Sequence, residues 1–214
     1  MPVLQVITGS TRPVRVGPAV ASWFADLARG RGDFDVEEVD LAEMALPLLN
    51  ESEHPATGRY VHDHTQRWSQ TIQRADAYVF VIPEYNHSYN AATKNAIDYL
   101  YNEWRDKTVG FVSYGGLAAG TRAVQALKPV FLSLKAVPVL ESVNIPFVAS
   151  LLDEGSLTPN TGMMSSATAM LDEIARREGA LRPLRHQSVT AEVADRKTIW
   201  PPAHPWITFG VAAQ

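Results

Sequence analysis

Five short apolar segments, rich in β-branched residues and spaced along the whole chain, constrain the fold of this sequence more than any other feature. Three of them are almost continuously apolar, as strands buried on both faces of a parallel sheet are. The second alternates polar and apolar residues, which predicts a strand near a sheet edge. The segments are residues 3–8, 34–41, 77–83, 109–115 and 136–145.

Amphipathic helical patterns separate these segments. Val20, Trp23, Phe24 and Leu27 follow the three- and four-residue spacing of one helix face. Further helices are predicted over 59–75, around 92–100, around 124–134 and over 163–181. Alternation of strands and helices predicts an α/β fold, a doubly wound parallel sheet with helices on both faces. Ligands of such sheets bind beyond the carboxyl ends of the strands, so the loops that follow the strands are the candidate site.

The composition is that of one ordinary globular domain, and it excludes several function classes. The chain has 214 residues, 46% hydrophobic residues and a net charge of −4, which argues against nucleic acid or an anionic membrane as the main partner. The sequence contains no cysteine, so disulfides, thiolate catalysis and cysteine-ligated metals are excluded. Neither a signal-peptide pattern nor an apolar segment of about 20 residues is present, which predicts a cytoplasmic protein.

The loop after the first segment, TGSTRPVRVG, has the composition of a phosphate site. Ser10 and Thr11 supply hydroxyls, Arg12 and Arg15 supply positive charge, and a helix begins at Gly17. A helix N-terminus itself favours an anion. The loop matches neither the glycine pattern of dinucleotide sites nor a Walker A loop, so a terminal monophosphate fits best. The alternative is a capped helix with solvated arginines.

The loops after the third and fourth segments carry aromatic, amide and glycine groups. Residues 83–90, PEYNHSYN, gather two tyrosines and two asparagines at a strand end, which suits a planar heterocycle. The alternative is a helix cap formed by Ser88 or Asn90. Residues 113–123, SYGGLAAGTRA, contain glycines that let a ring edge approach the backbone, and the alternative is a flexible turn. The lysine of a P-loop is missing, which excludes a nucleoside triphosphate.

A monophosphate site and two loops suited to a flat ring, all at one edge of one sheet, predict flavin mononucleotide (FMN). With these motifs the sequence resembles the NADPH-dependent FMN reductase family of flavodoxin-like proteins, which includes quinone, azo-dye and chromate reductases. The resemblance runs over residues 3–145 and is carried by GSTRPVR, PEYNHSYNAATKNAIDYL and SYGG followed by GTRA. It implies strand order 2-1-3-4-5, non-covalent FMN, and a homodimer or homotetramer.

The resemblance also implies a role for each matching residue. Side chains of the first loop, with the backbone of two residues at the start of the helix, would hold the phosphate. The second loop would line the isoalloxazine, and the third would meet its other side. The implied residues are Ser10, Arg12, Arg15, Val16, Gly17, Pro83, Glu84, Tyr85, Asn86, Ser113, Tyr114, Gly115 and Gly116. Relatives often carry serine and asparagine where this chain has Val14, Arg15 and Val16, so Arg12 is the firmer assignment.

The implied function is that of an NAD(P)H-dependent FMN oxidoreductase. A ping-pong cycle transfers hydride from NADPH or NADH through flavin N5 to a small quinone-like, azo or flavin acceptor. Such a cycle needs no catalytic acid or base from the protein, while the backbone around Tyr85, Asn86 and Gly115 would tune the flavin. The alternatives are a reductase that supplies reduced FMN to a monooxygenase, an electron carrier, and a non-catalytic FMN sensor.

Two further features of the sequence carry predictions. His62 and His64 stand two residues apart on a predicted helix, so they are expected to point to different faces and to make a poor metal pair. No metal site is predicted. We divide the chain into a flavodoxin-like domain over residues 1–182 and a C-terminal extension over 183–214. The extension holds four prolines together with Trp200 and Trp206, and its predicted role is an oligomer arm.

Overall fold

A five-stranded sheet forms the centre of the protein. The computed structural model describes the backbone of residues 1–195 and the side chains of residues 1–185. All strand pairs of this sheet are parallel and the order is β2-β1-β3-β4-β5, as predicted. The alternating segment, β2, lies at an edge. The strands are β1 (Val3–Thr8), β2 (Asp35–Asp40), β3 (Ala77–Pro83), β4 (Thr108–Tyr114) and β5 (Val137–Ile145).

Helices cover both faces of the sheet and bury two hydrophobic cores. The helices are α1 (Gly17–Arg31), α2 (Leu41–Met44), α3 (Asp63–Arg74), α4 (Ala91–Asp98), α5 (Thr121–Ser133) and α6 (Thr161–Asp195). A small hairpin, β6 (Leu152–Asp153) with β7 (Ser156–Leu157), precedes α6. Phe24 of α1 and Met170 of α6 belong to one core, and Trp68 of α3, Ile97 of α4 and Phe131 of α5 belong to the other. The predicted α/β fold with helices on both faces is confirmed.

The last helix extends well beyond its predicted end at residue 181. Helix α6 continues through Pro183 to Asp195, although a proline inside a helix removes one hydrogen bond and crowds the preceding turn. The ion pair of Glu178 with Arg185 spans this proline and holds the turns on its two sides together, while Arg182, just before the proline, pairs with the same Glu178. The helix therefore crosses the predicted domain boundary at 182. Trp200 and Trp206 lie outside the described residues, and the division into domain and extension stays a prediction.

A buried polar cluster lies at the amino ends of β3 and β4, at the edge opposite the loops described below. The ammonium group of Lys107 donates to the carbonyl of Ile72 at 3.0 Å and to the hydroxyl of Tyr78 at 2.9 Å. Burial, and secondarily the nearby charge of Arg185, lowers the pKa of Lys107 to about 7. The carboxylates of Asp76 and Glu103 raise it, but by less.

We expect stability to depend on pH through Lys107. Its pKa falls from 10.5 in the unfolded chain to about 7 in the folded protein, so between these values the unfolded chain binds more protons. The buried charge of Lys107 therefore lowers the free energy of unfolding by its full amount below about pH 7, and this loss disappears as the pH rises towards about 10.5. Relative to Lys107→Met, the wild type should gain about 2 kcal/mol of unfolding free energy from about pH 7 to about pH 9, measured by urea unfolding. The matched control is Lys135→Met at an exposed lysine, and an equal change in both variants would contradict this assignment.

Candidate active site

Three loops meet at the carboxyl edge of the sheet, where the strand order predicts a ligand. We call them the first loop (residues 9–17, after β1), the second loop (residues 84–90, after β3) and the third loop (residues 115–120, after β4). Backbone hydrogen bonds tie each loop to a neighbouring strand. Gly9 N donates to Val81 O at 2.9 Å, and Glu84 N donates to Tyr114 O at 3.3 Å. The three predicted motifs therefore converge on one place.

The first loop is held against the start of α4. Asn90 Nδ2 donates to Gly9 O at 2.7 Å, and Thr93 Oγ1 donates to Asn90 Oδ1 at 2.8 Å. Only glycine fits at position 9, because a Cβ there would lie 2.4 Å from Thr93 Oγ1. The sequence also allows Asn90 to act as a helix cap, but its side chain makes no capping hydrogen bond to α4. Asn90 and Thr93 position the first loop instead.

Hydroxyl groups from all three motifs gather beneath the first loop. Ser10 Oγ lies 3.2 Å from Tyr85 Oη, and the hydroxyl of Tyr114 lies close enough to interact with both residues. A Cβ on Gly17 would lie 2.9 Å from Tyr114 Oη, so the start of α1 packs directly on this tyrosine. Burial, with a smaller contribution from Tyr85, raises the pKa of Tyr114 well above its ordinary value, although Arg15 and Arg12 oppose the shift. Tyr114 therefore stays protonated as a hydrogen-bond donor.

The two arginines of the first loop have different surroundings. Arg15 Nη2 lies 2.5 Å from Asp40 Oδ2, and both side chains are largely buried. Asp40 Oδ1 also accepts from Ala42 N at the start of α2, so this ion pair connects the first loop to the end of β2. Among the described side chains, Arg15 Nε is buried without a hydrogen-bond partner. Arg12 is exposed, and within the described part of the chain no carboxylate pairs with it.

The start of α1 fits a phosphate group. Its N-cap residue, Val16, makes no side-chain capping hydrogen bond, and no acidic residue stands in the first turn. The N–H groups there are left to an anion, which the helix dipole also favours. Within residues 1–185, whose side chains are described, Arg12 has no ion-pair partner and the buried Nε of Arg15 has no hydrogen-bond partner. The chemistry of the loop therefore suits a dianion better than the alternative of a capped helix with solvated arginines.

The second loop contains a tight turn. Tyr85 and Ser88 exchange backbone hydrogen bonds of 2.9 and 3.0 Å, and Asn86 and His87 between them have φ values of 50° and 68°. Two consecutive left-handed residues define a type I′ hairpin turn, which asparagine tolerates well. The turn leaves Tyr85, Asn86 and His87 exposed. Pro83 before it is buried as the last residue of β3.

Glu84 links the second loop to α5. Its carboxylate lies 2.5 Å from Arg122 Nη1 and accepts from Arg122 N at 3.2 Å. The Glu84 side chain is largely buried and Arg122 is half exposed. The carboxylate of Glu84 is therefore engaged by the protein, and what it offers to a ligand is its backbone and the methylene groups of the side chain.

The third loop is shaped by glycine and by a buried serine. Ser113 is fully buried, with its hydroxyl 2.8 Å from both Ala119 O and Asn144 Oδ1, so it supports the loop from beneath. Gly115 N donates to Ile145 O at 3.2 Å. Gly116 is exposed at the tip of the loop.

Of the backbone groups expected to tune the flavin, two are used by the protein itself. Tyr85 N donates to Ser88 O and Gly115 N donates to Ile145 O. Asn86 N has no backbone acceptor among the described residues. The N–H group of Asn86 is thus the one of the three that is left for a ligand.

The architecture and the site together match a known family over most of the chain. The profile of the NADPH-dependent FMN reductase family matches residues 2–150. The chain belongs to this family. Membership confirms the predicted resemblance, and with it an enzyme that uses FMN and NAD(P)H.

Individual relatives agree with the family assignment. The chain is 40% identical over 149 residues to an NAD(P)H-dependent FMN reductase of Schizosaccharomyces pombe, covering 68% of this chain and 74% of the relative. It is 32% identical over 169 residues to a quinone reductase of Pseudomonas putida, covering 74% and 86%. The solved structure of FerB, a flavoenzyme NAD(P)H:acceptor oxidoreductase of Paracoccus denitrificans, has the same fold, with a TM-score of 0.68, 24% identity, and coverage of 83% of this chain and 99% of that one.

The predicted geometry of the two histidines is wrong. The rings of His62 and His64 stack with centroids 5.1 Å apart and an angle of 9° between their planes. His62 precedes α3 as its N-cap, so helical spacing does not apply, and both Nε2 atoms approach Asn50, at 3.2 and 3.1 Å.

Among the described residues no group of three or more His, Asp or Glu side chains is arranged to bind a metal ion. None of the helices in the described part of the chain is both long and apolar enough to span a membrane.

Proposed function

We propose that this enzyme oxidises NAD(P)H and reduces small quinone-type or azo acceptors through non-covalently bound FMN. The observation that carries the proposal is the uncapped N-terminus of α1, at the point where the loops after β1 and β3 diverge. Arg12 lies beside it and is unpaired among the described side chains. The similarity to a quinone reductase supports the choice of acceptor class. When bound, FMN supplies hydride acceptance from a nicotinamide and electron transfer to a second substrate.

The residues of the three loops divide the work of holding this cofactor. The phosphate would be held by Arg12, by Ser10 and by the N–H groups at the start of α1, with Arg15 fixed by Asp40 beside them. The neutral hydroxyl of Tyr114 supports the same loop from below. Residues of the exposed second-loop turn and the tip of the third loop would border the ring.

The protein's own part in the reaction is orientation rather than proton transfer. Glu84 is engaged by Arg122 and Tyr114 is held protonated by burial, so neither is placed to exchange protons with a substrate. We propose that the two substrates use the same opening in turn, which is the ping-pong order. Initial rates at several fixed acceptor concentrations should then give parallel lines in double-reciprocal plots, and intersecting lines would contradict it.

An anaerobic titration of the FMN-loaded protein tests the function directly. NADPH and NADH are added separately while the absorbance of oxidised flavin is followed. Rapid bleaching by either, reversed by a quinone, is the expected result, and the faster donor is the preferred one. Bleaching that no quinone or azo dye reverses, but that free flavin reverses, would identify a reductase that supplies reduced FMN. An absence of bleaching would leave an electron carrier or a sensor.

Arg12→Ala should weaken FMN binding strongly and selectively. A charge-assisted hydrogen bond to phosphate is worth about 1.5–3 kcal/mol, so the dissociation constant of FMN should rise about 10- to 100-fold. Riboflavin lacks the phosphate, and its dissociation constant should hardly change. Flavin fluorescence titration measures both. The matched control is Arg176→Ala on α6, an exposed arginine paired with Glu173. Equal weakening of FMN and riboflavin binding would show that Arg12 acts on the loop and not on the phosphate.

We also propose a homodimer or homotetramer located in the cytoplasm. The sequence resemblance supports the oligomer, and the location stays a prediction. Light scattering on the full chain gives the oligomer mass, and a monomer would contradict the proposal.

A further inference from the structure

Phe147, two residues beyond the end of β5, has an unusual backbone conformation. Its φ is 46° and its ψ is 44°, in the left-handed region that bulky side chains rarely adopt. The side chain gains no burial from this conformation. Phe147 is 56% exposed, whereas its neighbours Ile145 and Val148 are 0% and 7% exposed. Residues held in such strained conformations cluster at ligand-binding sites, where the surrounding structure fixes them.

Hydrogen bonds fix Phe147 against the third loop. Phe147 N donates to Gly116 O at 3.2 Å, and Val148 N donates to Gly115 O at 3.3 Å. On the other side, Ser150 donates to Phe147 O from its backbone N–H at 2.9 Å and from its hydroxyl at 2.8 Å. The strained turn is therefore part of the same structure as the loop that borders the proposed FMN site, and it holds the exposed residue Phe147 beside that loop.

The third loop places a second exposed apolar side chain near Phe147 and contributes no net charge. Leu117, at the tip of the loop, is 84% exposed. The turn that presents it is closed by Ala119 N, which donates to Gly116 O at 3.1 Å. Glu84, which lies against Gly115, is neutralised by Arg122. The margin formed by the third loop and the start of the next segment is thus apolar and uncharged.

We infer that Phe147 and Leu117 form the acceptor-binding rim of the site and select flat, uncharged acceptors such as quinones over small anionic acceptors. The inference rests on the proposed function, since it concerns the second substrate of the same site. An exposed apolar surface is stabilised when a flat apolar molecule covers it, and an aromatic side chain adds stacking. A hydrated anion gains neither contribution.

The variant Phe147→Asn removes the ring while keeping the backbone, because asparagine tolerates the left-handed region. With the FMN-loaded enzyme, its KM for menadione, a naphthoquinone, should rise about 10-fold, with kcat little changed. The KM for ferricyanide, an anionic acceptor, should stay unchanged. Calorimetric titration of menadione into the oxidised enzyme without NADPH should show the same loss of affinity. Leu117→Ser should raise the KM for menadione about threefold.

The matched control is Leu140→Ala, which removes an exposed leucine from the amino-terminal half of β5 (79% exposed), and it should change none of these constants. An unchanged KM for menadione in Phe147→Asn, or an equal rise for ferricyanide, would overturn the inference. A smaller oligomer mass of Phe147→Asn by light scattering would also overturn the inference, because it would show that Phe147 contacts a second copy of the chain. Failure of the proposed function is distinct from these results: the wild type itself would then be bleached by NADPH and not reoxidised by menadione.

Discussion

Gly120→Ala should lower the free energy of unfolding by about 2–5 kcal/mol. Gly120 has φ +78°, and a Cβ there would lie 2.7 Å from Ser113 Cβ and 2.8 Å from Tyr114 N. The left-handed conformation costs an alanine about 1–2 kcal/mol, and overpacking against a fully buried strand end adds about 1–3 kcal/mol. Tyr114 N is a backbone atom of β4 and cannot rotate away, so the third loop itself has to move.

The chain contains a control that separates these two costs. Gly155, in the turn between β6 and β7, has φ +83°, but a Cβ added there would meet nothing within 4 Å. Gly155→Ala should therefore show the conformational cost alone, about 1–2 kcal/mol. Urea unfolding of both variants measures the difference. Because the loop moves, Gly120→Ala should also weaken FMN binding, whereas Gly155→Ala should not. Equal losses of stability in the two variants would show that crowding at Gly120 is unimportant.

The elements that the sequence predicts well are those whose signals are local. Each buried strand has its own run of apolar residues, so the five segments agree with the observed strands to within one residue at either end. The positions of the site loops follow from the same signal, since the edge of a parallel sheet is defined by its strands. Motif residues such as Arg12 and Tyr85 can then be assigned to the site from the sequence, because each follows a predicted strand end.

The contacts within the site depend on chain segments far apart, and the sequence alone does not contain them. Asn90 reaches Gly9 across 81 residues, and Arg15 meets Asp40 only because β2 lies beside β1. An arginine next to a helix start looks the same in sequence whether it faces a phosphate or a carboxylate. The ion pair with Asp40 gives Arg15 a structural contact that composition could not show, and its part in phosphate binding stays a prediction.

The predicted end of α6 is wrong for a related reason. Proline is a strong local signal for the end of a helix, and Pro183 therefore favours a helix that stops just before it. The opposing signal is the arrangement of Glu178, Arg182 and Arg185 at helical spacing on the two sides of the proline. The ion pair of Glu178 with Arg185 is strong because it is buried: the Glu178 side chain is only 2% exposed. That burial could not be predicted, because the sequence does not show which side of a helix packs on the sheet.

Arg185→Ala should lower the free energy of unfolding by about 3 kcal/mol, which is typical of removing one partner from a buried ion pair. Arg185 Nη2 lies 2.9 Å from Asp76 Oδ1 and 2.7 Å from Glu178 Oε1, and the arginine side chain is 12% exposed. Its Nη1 also donates to Asp106 O at 3.3 Å. These contacts attach the segment past residue 182 to the amino ends of β3 and β4. Burial raises the pKa of Glu178, but hydrogen bonds from Arg182 and Arg185 outweigh it and hold that pKa below its ordinary value.

Arg182→Ala is the matched control, since Arg182 pairs with the same Glu178 but is 49% exposed. Its loss should cost about 1 kcal/mol or less, as for other exposed ion pairs. Thermal and urea unfolding of the full chain measure both variants. A large loss for Arg185→Ala alone would mean that the helix beyond Pro183 is part of the packed domain, so the functional unit extends past 182. Equal small losses would mean that the contacts of Arg185 contribute little and that the boundary at 182 describes the cooperative unit.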